Sequence, residues 1–399
     1  MKPYVVAFVR PDRMNAQDLL WLLLPLAAAS GWFVARLDSK RQAARSFDLP
    51  SAYFRGLNFL LNEQPDKAIE IFVQVLEVNS ETVETHLALG NLFRRRGEVE
   101  RAIRIHQNLI ARPTLDREQR TYALLELGQD YFKAGLFDRA ENLFLELAEV
   151  RAHSEQALRL LLNIYQQEKE WDKAIQASHK LARVAGKRMD DVIAQYYCEL
   201  AEQAFAKGDF SAARDFLRQA LAADGNCVRA SIVLGDVHAE EGRYREAIEA
   251  WRRVENQDAH YFGEVAHRIA EAYRRLNDEQ GLYQFFSAAL QRHAAVSLVL
   301  TFADIIKQRD GIKSAEKFVV EALRRHPNVH GLHRLLELNV EQAEGPAKTD
   351  LMLLKGIIEE LRQQHQGYVC QQCGFRGRTL HWLCPSCSRW NSTKPVVEE

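Results

Sequence analysis

The chain has 399 residues, with 53 Lys and Arg residues against 54 Asp and Glu residues, so its formal net charge is −1. This balance argues against the basic field that drives nonspecific binding to nucleic acid. A hydrophobic content of 47% and a charged content of 27% exclude a disordered chain, and 20 Gly with 10 Pro is typical of a helix-rich protein. We expect an all-α protein, built as an elongated array or as several domains, with no nucleic-acid partner.

The first predicted element is an uncharged run over 19–35, which follows an extension over 1–18. Its 17 residues are near the lower limit for a bilayer-spanning helix, and Trp21 and Trp32 stand near its ends, as interfacial aromatics do. A cleaved signal peptide and a buried core helix are the alternatives. We favour a retained transmembrane anchor, because cleavage would export the chain's cysteines to an oxidising space.

Basic residues flank the anchor on both sides, so the positive-inside rule alone leaves its orientation nearly balanced. Met14 lies just before the apolar run, and we interpret residues 1–13 as the product of a start assigned too early, leaving the choice between Met1 and Met14 open. A start at Met14 leaves basic residues mainly on the C-terminal side. This predicts a single-pass membrane protein with a linker over 36–50 and its C-terminal body in the cytoplasm.

The middle of the chain, over 51–365, has a repeat of about 34 residues. Small residues recur twelve positions apart in four places: Gly56 with Ala68, Gly90 with Ala102, Gly128 with Ala140, and Gly235 with Ala247. Four positions after three of these alanines stands a large side chain: Phe72, Phe144 and Trp251. This pattern resembles the tetratricopeptide repeat, in which small residues let two antiparallel helices approach and a large one fills the space behind them.

We expect about eight such repeats between roughly residues 50 and 325, with a closing helix pair to about 365. The unit over 256–290 departs from the pattern, because Leu282 replaces the expected alanine. The solenoid is therefore expected to bend or loosen at that unit.

A solenoid of this kind offers a groove lined by its first helices, and we predict no catalytic residues and no enzyme activity. The candidate groove residues are Asn91, Arg94, Gln129, Phe132, Asn163, Gln166 and Asp236. Taken singly, each is typical of an ordinary solvated position. Taken together, their mixed polar and aromatic character predicts a protein-binding surface.

Two pairs of cysteines close the chain: Cys370 with Cys373, and Cys384 with Cys387. Two residues within each pair let one turn direct both sulfurs at one ion, and four thiolates suit zinc or iron. The pairs resemble the two knuckles of rubredoxin, but only ten residues separate them and Ser388 stands where glycine is usual. We predict a small rubredoxin-like metal-binding domain over 366–392, followed by a tail over 393–399, with one metal ion and zinc favoured over iron.

The order of anchor, repeats and metal domain resembles one family, LapB, the lipopolysaccharide assembly protein B family. The specific local matches are LLPLAAASGW near the start and CGFRGRTLHWLCPSC near the end. The resemblance implies an inner-membrane protein that presents the LpxC deacetylase to the membrane protease FtsH, opposed by a membrane sensor of lipopolysaccharide. It further implies that the four cysteines are metal ligands, that the metal domain packs back against the repeats and that the groove binds client protein.

Three functions stay open at this point. We favour an adaptor for regulated proteolysis. A scaffold that gathers proteins of lipopolysaccharide synthesis and transport is the second, and a redox protein with an iron centre is the third and least favoured. The oligomeric state is open, with a homodimer among the alternatives. We interpret the metal domain as a cap on the C-terminal end of the solenoid, because it follows the last predicted helix almost without a linker.

Overall fold

The computed structural model describes residues 29–30, 32, 54–62, 64–78, 83–293, 295–364 and 367–396. Ala29, Ser30 and Trp32 are helical; the rest of the predicted anchor and the linker over 36–50 lie outside the described residues. Within the described residues, no helix is both long enough and apolar enough to cross a bilayer. The chain divides into two compact units, residues 1–153 and 154–399.

The described part of the first unit consists of paired helices. They are α1 (54–61), α2 (Pro65–Val78), α3 (Val83–Arg95), α4 (Val99–Ile110), α5 (Arg117–Lys133) and α6 (Phe137–Ala148). The turn between α5 and α6 passes through Gly135, whose φ of +75° favours glycine. Asp116 begins α5 with a capping box: its side chain accepts the N–H of Gln119, and the Gln119 side chain accepts the N–H of Asp116.

The second unit continues the same arrangement of helix pairs. Its helices are α7 (Ser154–Glu168), α8 (Trp171–Ala185), α9 (Asp190–Ala206), α10 (Phe210–Ala223), α11 (Val228–Glu240), α12 (Tyr244–Gln257), α13 (Phe262–Arg275), α14 (Glu279–Arg292), α15 (Val296–Asp310), α16 (Ile312–Arg325), α17 (Val329–Gln342) and α18 (Gly345–Gln364). A short 3-10 helix, Ala259–Tyr261, precedes α13. These pairs confirm the predicted tetratricopeptide-type solenoid.

A small antiparallel sheet follows α18. Its strands are β1 (Tyr368–Cys370), β2 (Arg376–Gly377) and β3 (Thr393–Pro395), in the spatial order β2-β1-β3. Cys370 pairs with Thr393 across β1 and β3. Three residues that the sequence assigned to a tail thus complete the sheet of the metal domain, because the central strand β1 needs a partner on each side.

Close packing of glycine against a ring joins the two helices of several repeats. A Cβ atom built on the glycine would lie between 2.2 and 2.6 Å from a ring atom, which is too close for any side chain. The contacts are Gly56 with Phe72, Gly90 with His106, Gly128 with Phe144, and Gly235 with Trp251. The sequence pattern of small and large residues thus corresponds directly to helix–helix contact, and His106 takes the place of the aromatic ring in one repeat.

The unit over 256–290 is looser than its neighbours, as expected, because α13 and α14 approach each other along much less of their length than α11 and α12 or α15 and α16 do. It nevertheless keeps a buried core. Leu282 is buried with 4% of its surface exposed, and Phe286 is fully buried. Ala266 and Ala270 on α13 are fully buried in the same core cluster. The unit is therefore more open between its two helices, while the core that runs through it stays continuous.

We predict that Gly128→Ala destabilises the protein by about 1–3 kcal/mol, because the new methyl group meets the Phe144 ring at 2.4 Å in a closely packed core. The control is Gly356→Ala in α18, where nothing lies within 4 Å of a new Cβ. That change should stabilise by about 0.5–1 kcal/mol through helix propensity. Urea unfolding, followed by circular dichroism, measures the free energy of unfolding of both variants. Equal changes in the two variants would contradict the role of the contact between Gly128 and Phe144.

Candidate metal centre

The four cysteine sulfurs of the C-terminal domain converge on one point. All four lie within 4.8 Å of one another, with Sγ–Sγ distances of 3.7 Å for Cys370 with Cys387 and 3.7 Å for Cys373 with Cys384. A tetrahedral zinc site with Zn–S bonds of about 2.3 Å separates its sulfurs by about 3.8 Å. The sulfur positions therefore fit one tetrahedral ion, and this is the one such cluster in the described part of the chain.

Two similar turns present these sulfurs. In the first, the N–H of Gly374 donates to the carbonyl of Cys370 at 2.9 Å, and in the second the N–H of Ser388 donates to the carbonyl of Cys384 at 2.9 Å. Both turns end in a left-handed residue, with φ of +75° at Gly374 and +52° at Ser388. Serine thus takes the conformation that glycine adopts more easily, at a conformational cost of about 1–2 kcal/mol.

The surroundings of Cys370 favour its thiolate. Burial raises the pKa of Cys370, but its hydrogen bond with the Ser392 hydroxyl and the hydrogen bonds from the backbone N–H groups of Gln372 and Cys373 outweigh this effect and lower the pKa to about 6. The Ser392 Oγ lies 3.3 Å from the Cys370 sulfur. Burial and the neighbouring thiols raise the pKa of Cys387 to about 11. A divalent cation at the centre would favour all four thiolates together, so binding would release protons.

Three polar contacts attach the metal domain to the repeats of the second unit. The Tyr261 hydroxyl donates to the carbonyl of Thr393 at 2.6 Å, and the Lys394 Nζ lies 2.9 Å from the Asp258 carboxylate. The Tyr368 hydroxyl lies 3.1 Å from both carboxylate oxygens of Glu264. Burial raises the pKa of Tyr261 and of Tyr368, so both hydroxyls remain protonated donors.

Aromatic rings form the second part of this interface. Trp382 stacks on Tyr261 with ring centroids 5.5 Å apart. Trp390 meets Tyr196 edge to face at 5.8 Å and Trp171 at 6.3 Å, and the Arg229 guanidinium lies 6.0 Å from the Trp390 ring. Such contacts add to the free energy of simple burial.

The metal domain does not lie where the sequence suggested. Its described side-chain contacts are with α8, α9, α11, the 3-10 helix and α13, in the middle of the chain, rather than with the closing pair α17 and α18. The short connection after α18 predicted a cap on the last repeat. The aromatic side chains Trp171, Tyr196 and Tyr261 instead provide an interface several repeats earlier.

A cavity of about 480 Å³ remains where the metal domain meets α9, α11 and α13. Leu380 and Trp382 of the metal domain line it, together with the repeat residues Glu202, Phe205, Ile232, Val233, Asp236, Glu264 and Arg268. Burial raises the pKa of Asp236 and of Glu264. Because both domains contribute its walls, the cavity depends on the docked position of the metal domain.

The three predicted groove residues of the second unit have different surroundings. Asn163 on α7 is exposed, whereas the Gln166 amide donates to the Tyr196 hydroxyl at 2.9 Å. Asp236 accepts the indole N–H of Trp251 at 3.2 Å and pairs with Arg268 at 3.0 Å. Asp236 therefore lines the cavity and also links α11 to α12, through Trp251, and to α13, through Arg268.

The other four predicted groove residues lie in the first unit. Arg94 pairs with Glu126 at 2.6 Å and with Asp130 at 2.8 Å, and Asp130 in turn contacts the buried His106 at 2.5 Å. The remaining three positions, Asn91, Gln129 and Phe132, are partly buried on α3 and α5. Arg94 is thus committed to a structural network, while the binding role of all four stays a prediction.

Comparison with known proteins identifies relatives along nearly the whole chain. The chain is 40% identical over 381 residues to lipopolysaccharide assembly protein B of Escherichia coli K12, covering 95% of this chain and 98% of the relative. The chain belongs to the lipopolysaccharide assembly protein B family. The protein of the same name from Haemophilus influenzae is 37% identical over 393 residues, covering 96% of this chain and 99% of the relative.

Family models support the division into repeats and metal domain. The LapB zinc-ribbon model, described as a rubredoxin metal binding domain, matches residues 368–395. Tetratricopeptide repeat models match residues 85–121, 125–186 and 204–278. The first match extends to the end of β3, in agreement with the observed sheet.

Sequence reasoning missed the repeat residues that receive the metal domain. Tyr261 and Glu264 lie in the unit that departs from the repeat pattern, and Tyr196 and Trp171 belong to otherwise ordinary repeats. One signal was available, because the adjacent aromatics Tyr261 and Phe262 stand where α13 begins. The partner of Tyr261, Thr393, lies 132 residues away in the sequence and could not be identified from spacing.

We predict that Tyr261→Phe accelerates zinc release from the zinc-loaded protein to a chromogenic chelator. The change removes the buried hydrogen bond to Thr393 and keeps the ring, so it destabilises the docked metal domain by about 1–3 kcal/mol. This corresponds to an increase of about 5–150-fold in the rate of zinc release. Tyr273→Phe on α13, whose ring packs on Phe285, is the matched control and should leave the rate unchanged. Equal rates in both variants would contradict the role assigned to Tyr261.

Gly374 and Ser388 both have a left-handed backbone conformation, and we predict that substitutions at these two positions change zinc affinity in opposite directions. Gly374→Ala should weaken zinc binding by about 1–2 kcal/mol, since nothing within 4 Å hinders the methyl group and the cost is conformational. Ser388→Gly should strengthen it slightly, because relief of the left-handed conformation exceeds the added chain entropy of glycine. Competition titration against a chelator measures both, and a shift in the same direction for the two variants would refute the explanation.

Proposed function

We propose that the protein is a single-pass inner-membrane adaptor whose repeats and metal domain lie in the cytoplasm. It regulates lipopolysaccharide synthesis by presenting the LpxC deacetylase to the FtsH protease. Membership of a family whose curated relatives are named lipopolysaccharide assembly protein B supports the pathway. The uncharged run over 19–35 supports the anchor, and four reduced cysteines support the cytoplasmic side.

One observation carries this proposal. In the second unit, the metal domain packs against the first helices of successive repeats. Trp390 and Trp382 contact Tyr196 on α9 and Tyr261 before α13, so the small domain and the repeats present one combined surface. Tetratricopeptide arrays use first-helix surfaces to bind protein segments. The cavity beside Asp236 and Trp382 lies on this combined surface and gives it a recess for a client side chain.

The metal has a structural role in this proposal. Four thiolates close the coordination shell of a tetrahedral ion, which leaves no open position for substrate and is typical of structural zinc. A domain of about thirty residues has too small a core to fold by burial alone, so the ion supplies much of its folding free energy. Zinc loading therefore determines whether Leu380 and Trp382 can line the client surface.

The test is the half-life of the LpxC deacetylase in cells depleted of this protein, measured after translation is blocked. Depletion should lengthen the half-life markedly, and re-expression of the wild-type chain should shorten it again. An unchanged half-life would contradict the adaptor and would favour a scaffold that gathers lipopolysaccharide synthesis and transport proteins without promoting degradation.

A matched pair of variants on α13 tests the combined surface in the same assay. Arg268 lines the cavity and pairs with Asp236, whereas Arg275 pairs with Glu271 and is not among the cavity's lining residues. We predict that Arg268→Ala lengthens the LpxC half-life and that Arg275→Ala does not. Equal behaviour of the two variants, at equal expression and zinc content, would place client binding elsewhere on the protein.

A further inference from the structure

Two cysteines outside the metal centre meet inside the second unit. Cys198 lies on α9, and Cys227 is the residue that caps the N-terminus of α11. Their sulfurs are 3.8 Å apart, and the two residues are 0% and 1% exposed. The 28 residues between them fold as the rest of one repeat, so the contact is a product of the fold and not of local sequence.

The pair lies in an apolar core cluster, and a few polar side chains also reach it. The Gln195 amide donates to the Cys227 sulfur at 3.5 Å. Arg229, two residues after Cys227, is held by Glu199 and Glu202 at 2.8 Å each. Burial alone would lower the pKa of Arg229, but these two carboxylates raise it, so the guanidinium stays charged close to both thiols.

The two thiols are not equivalent. The hydrogen bond from the Cys198 thiol lowers the pKa of Cys227, and the position at a helix N-terminus also favours a thiolate there. Burial raises the pKa of Cys198. Geometry and charge together favour ionisation of Cys227 over Cys198 and keep the two sulfurs in contact.

We propose that Cys198 and Cys227 are a site of reversible disulfide formation under hydroperoxide oxidation. The Cys227 thiolate attacks one peroxide oxygen of hydrogen peroxide, the O–O bond breaks, and the sulfenic acid of Cys227 forms with release of hydroxide. The Cys198 sulfur then attacks the Cys227 sulfur, the S–O bond breaks, and water leaves with the Cys198 proton. The hydroxide takes up the proton that Cys227 lost on ionising, so in sum two thiols and one hydrogen peroxide give one disulfide and two water molecules.

The geometry requires only a small rearrangement for this bond. The sulfurs must approach from 3.8 Å to about 2.05 Å, a displacement that side-chain rotation and small helix shifts can supply. Because both thiols are buried, peroxide reaches them through local opening of the repeat. The bond would join α9 to α11, the helices whose Tyr196 and Arg229 contact Trp390 of the metal domain.

The experiment exposes the zinc-loaded full chain to hydrogen peroxide, alkylates the remaining thiols and maps the unreduced tryptic peptides by mass spectrometry. Trypsin places Cys198 in peptide 189–207 and Cys227 in peptide 219–229. We expect these peptides to be linked, with a loss of two hydrogens that dithiothreitol reverses. This readout is independent of any oxidation at the metal centre, whose cysteines lie in other peptides. Both peptides alkylated and unlinked after complete oxidation of the metal-centre cysteines would overturn the proposal.

Two single variants test which thiol reacts first. In Cys198→Ala, the sulfenic acid of Cys227 has no partner and should be trapped by dimedone; in Cys227→Ala, Cys198 should remain unlabelled. Labelling at Cys198 in preference to Cys227 would contradict the assigned nucleophile. The site is independent of the proposed adaptor role, since the linked peptides are measured on purified protein and LpxC half-life plays no part.

Discussion

The position of the metal domain depends on the convergence of four sulfurs within 4.8 Å. A segment of about thirty residues cannot bury enough apolar surface to fold unaided, so metal coordination must fix its two turns before its aromatic side chains can form an interface. Once fixed, the domain presents Trp382 and Trp390 to the repeats. Docking therefore requires the folded metal domain, and folding of that domain requires the metal.

The repeats supply the complementary constraint. In the second unit, Gly235 packed against the Trp251 ring brings α11 and α12 close together and restricts their relative position, and these two helices lie between Tyr196 and Tyr261 in the chain. The polar contacts from Asp258, Glu264 and Tyr261 then select one orientation of the metal domain. Hydrophobic stacking stabilises the interface, while the directional hydrogen bonds determine its register.

The sequence was most informative where the signal was local. The spacing of Gly128 and Ala140 predicted a helix pair, and the paired cysteines predicted a metal site, because both depend on residues close in the chain. The docking of the metal domain joins Tyr261 to Thr393 across 132 residues, and the thiol pair joins α9 to α11 through a full repeat. Neither contact has a periodic signature, so only the folded chain shows them.

The most direct test of this interdependence is amide hydrogen exchange of the full chain before and after the metal is removed by chelation. We predict faster exchange after chelation in residues 368–395 and also in α9, α11 and the start of α13, with α3 to α6 of the first unit unchanged. Faster exchange confined to residues 368–395 would contradict the central claim. It would mean that the metal orders its own domain without any effect on the repeats beneath it.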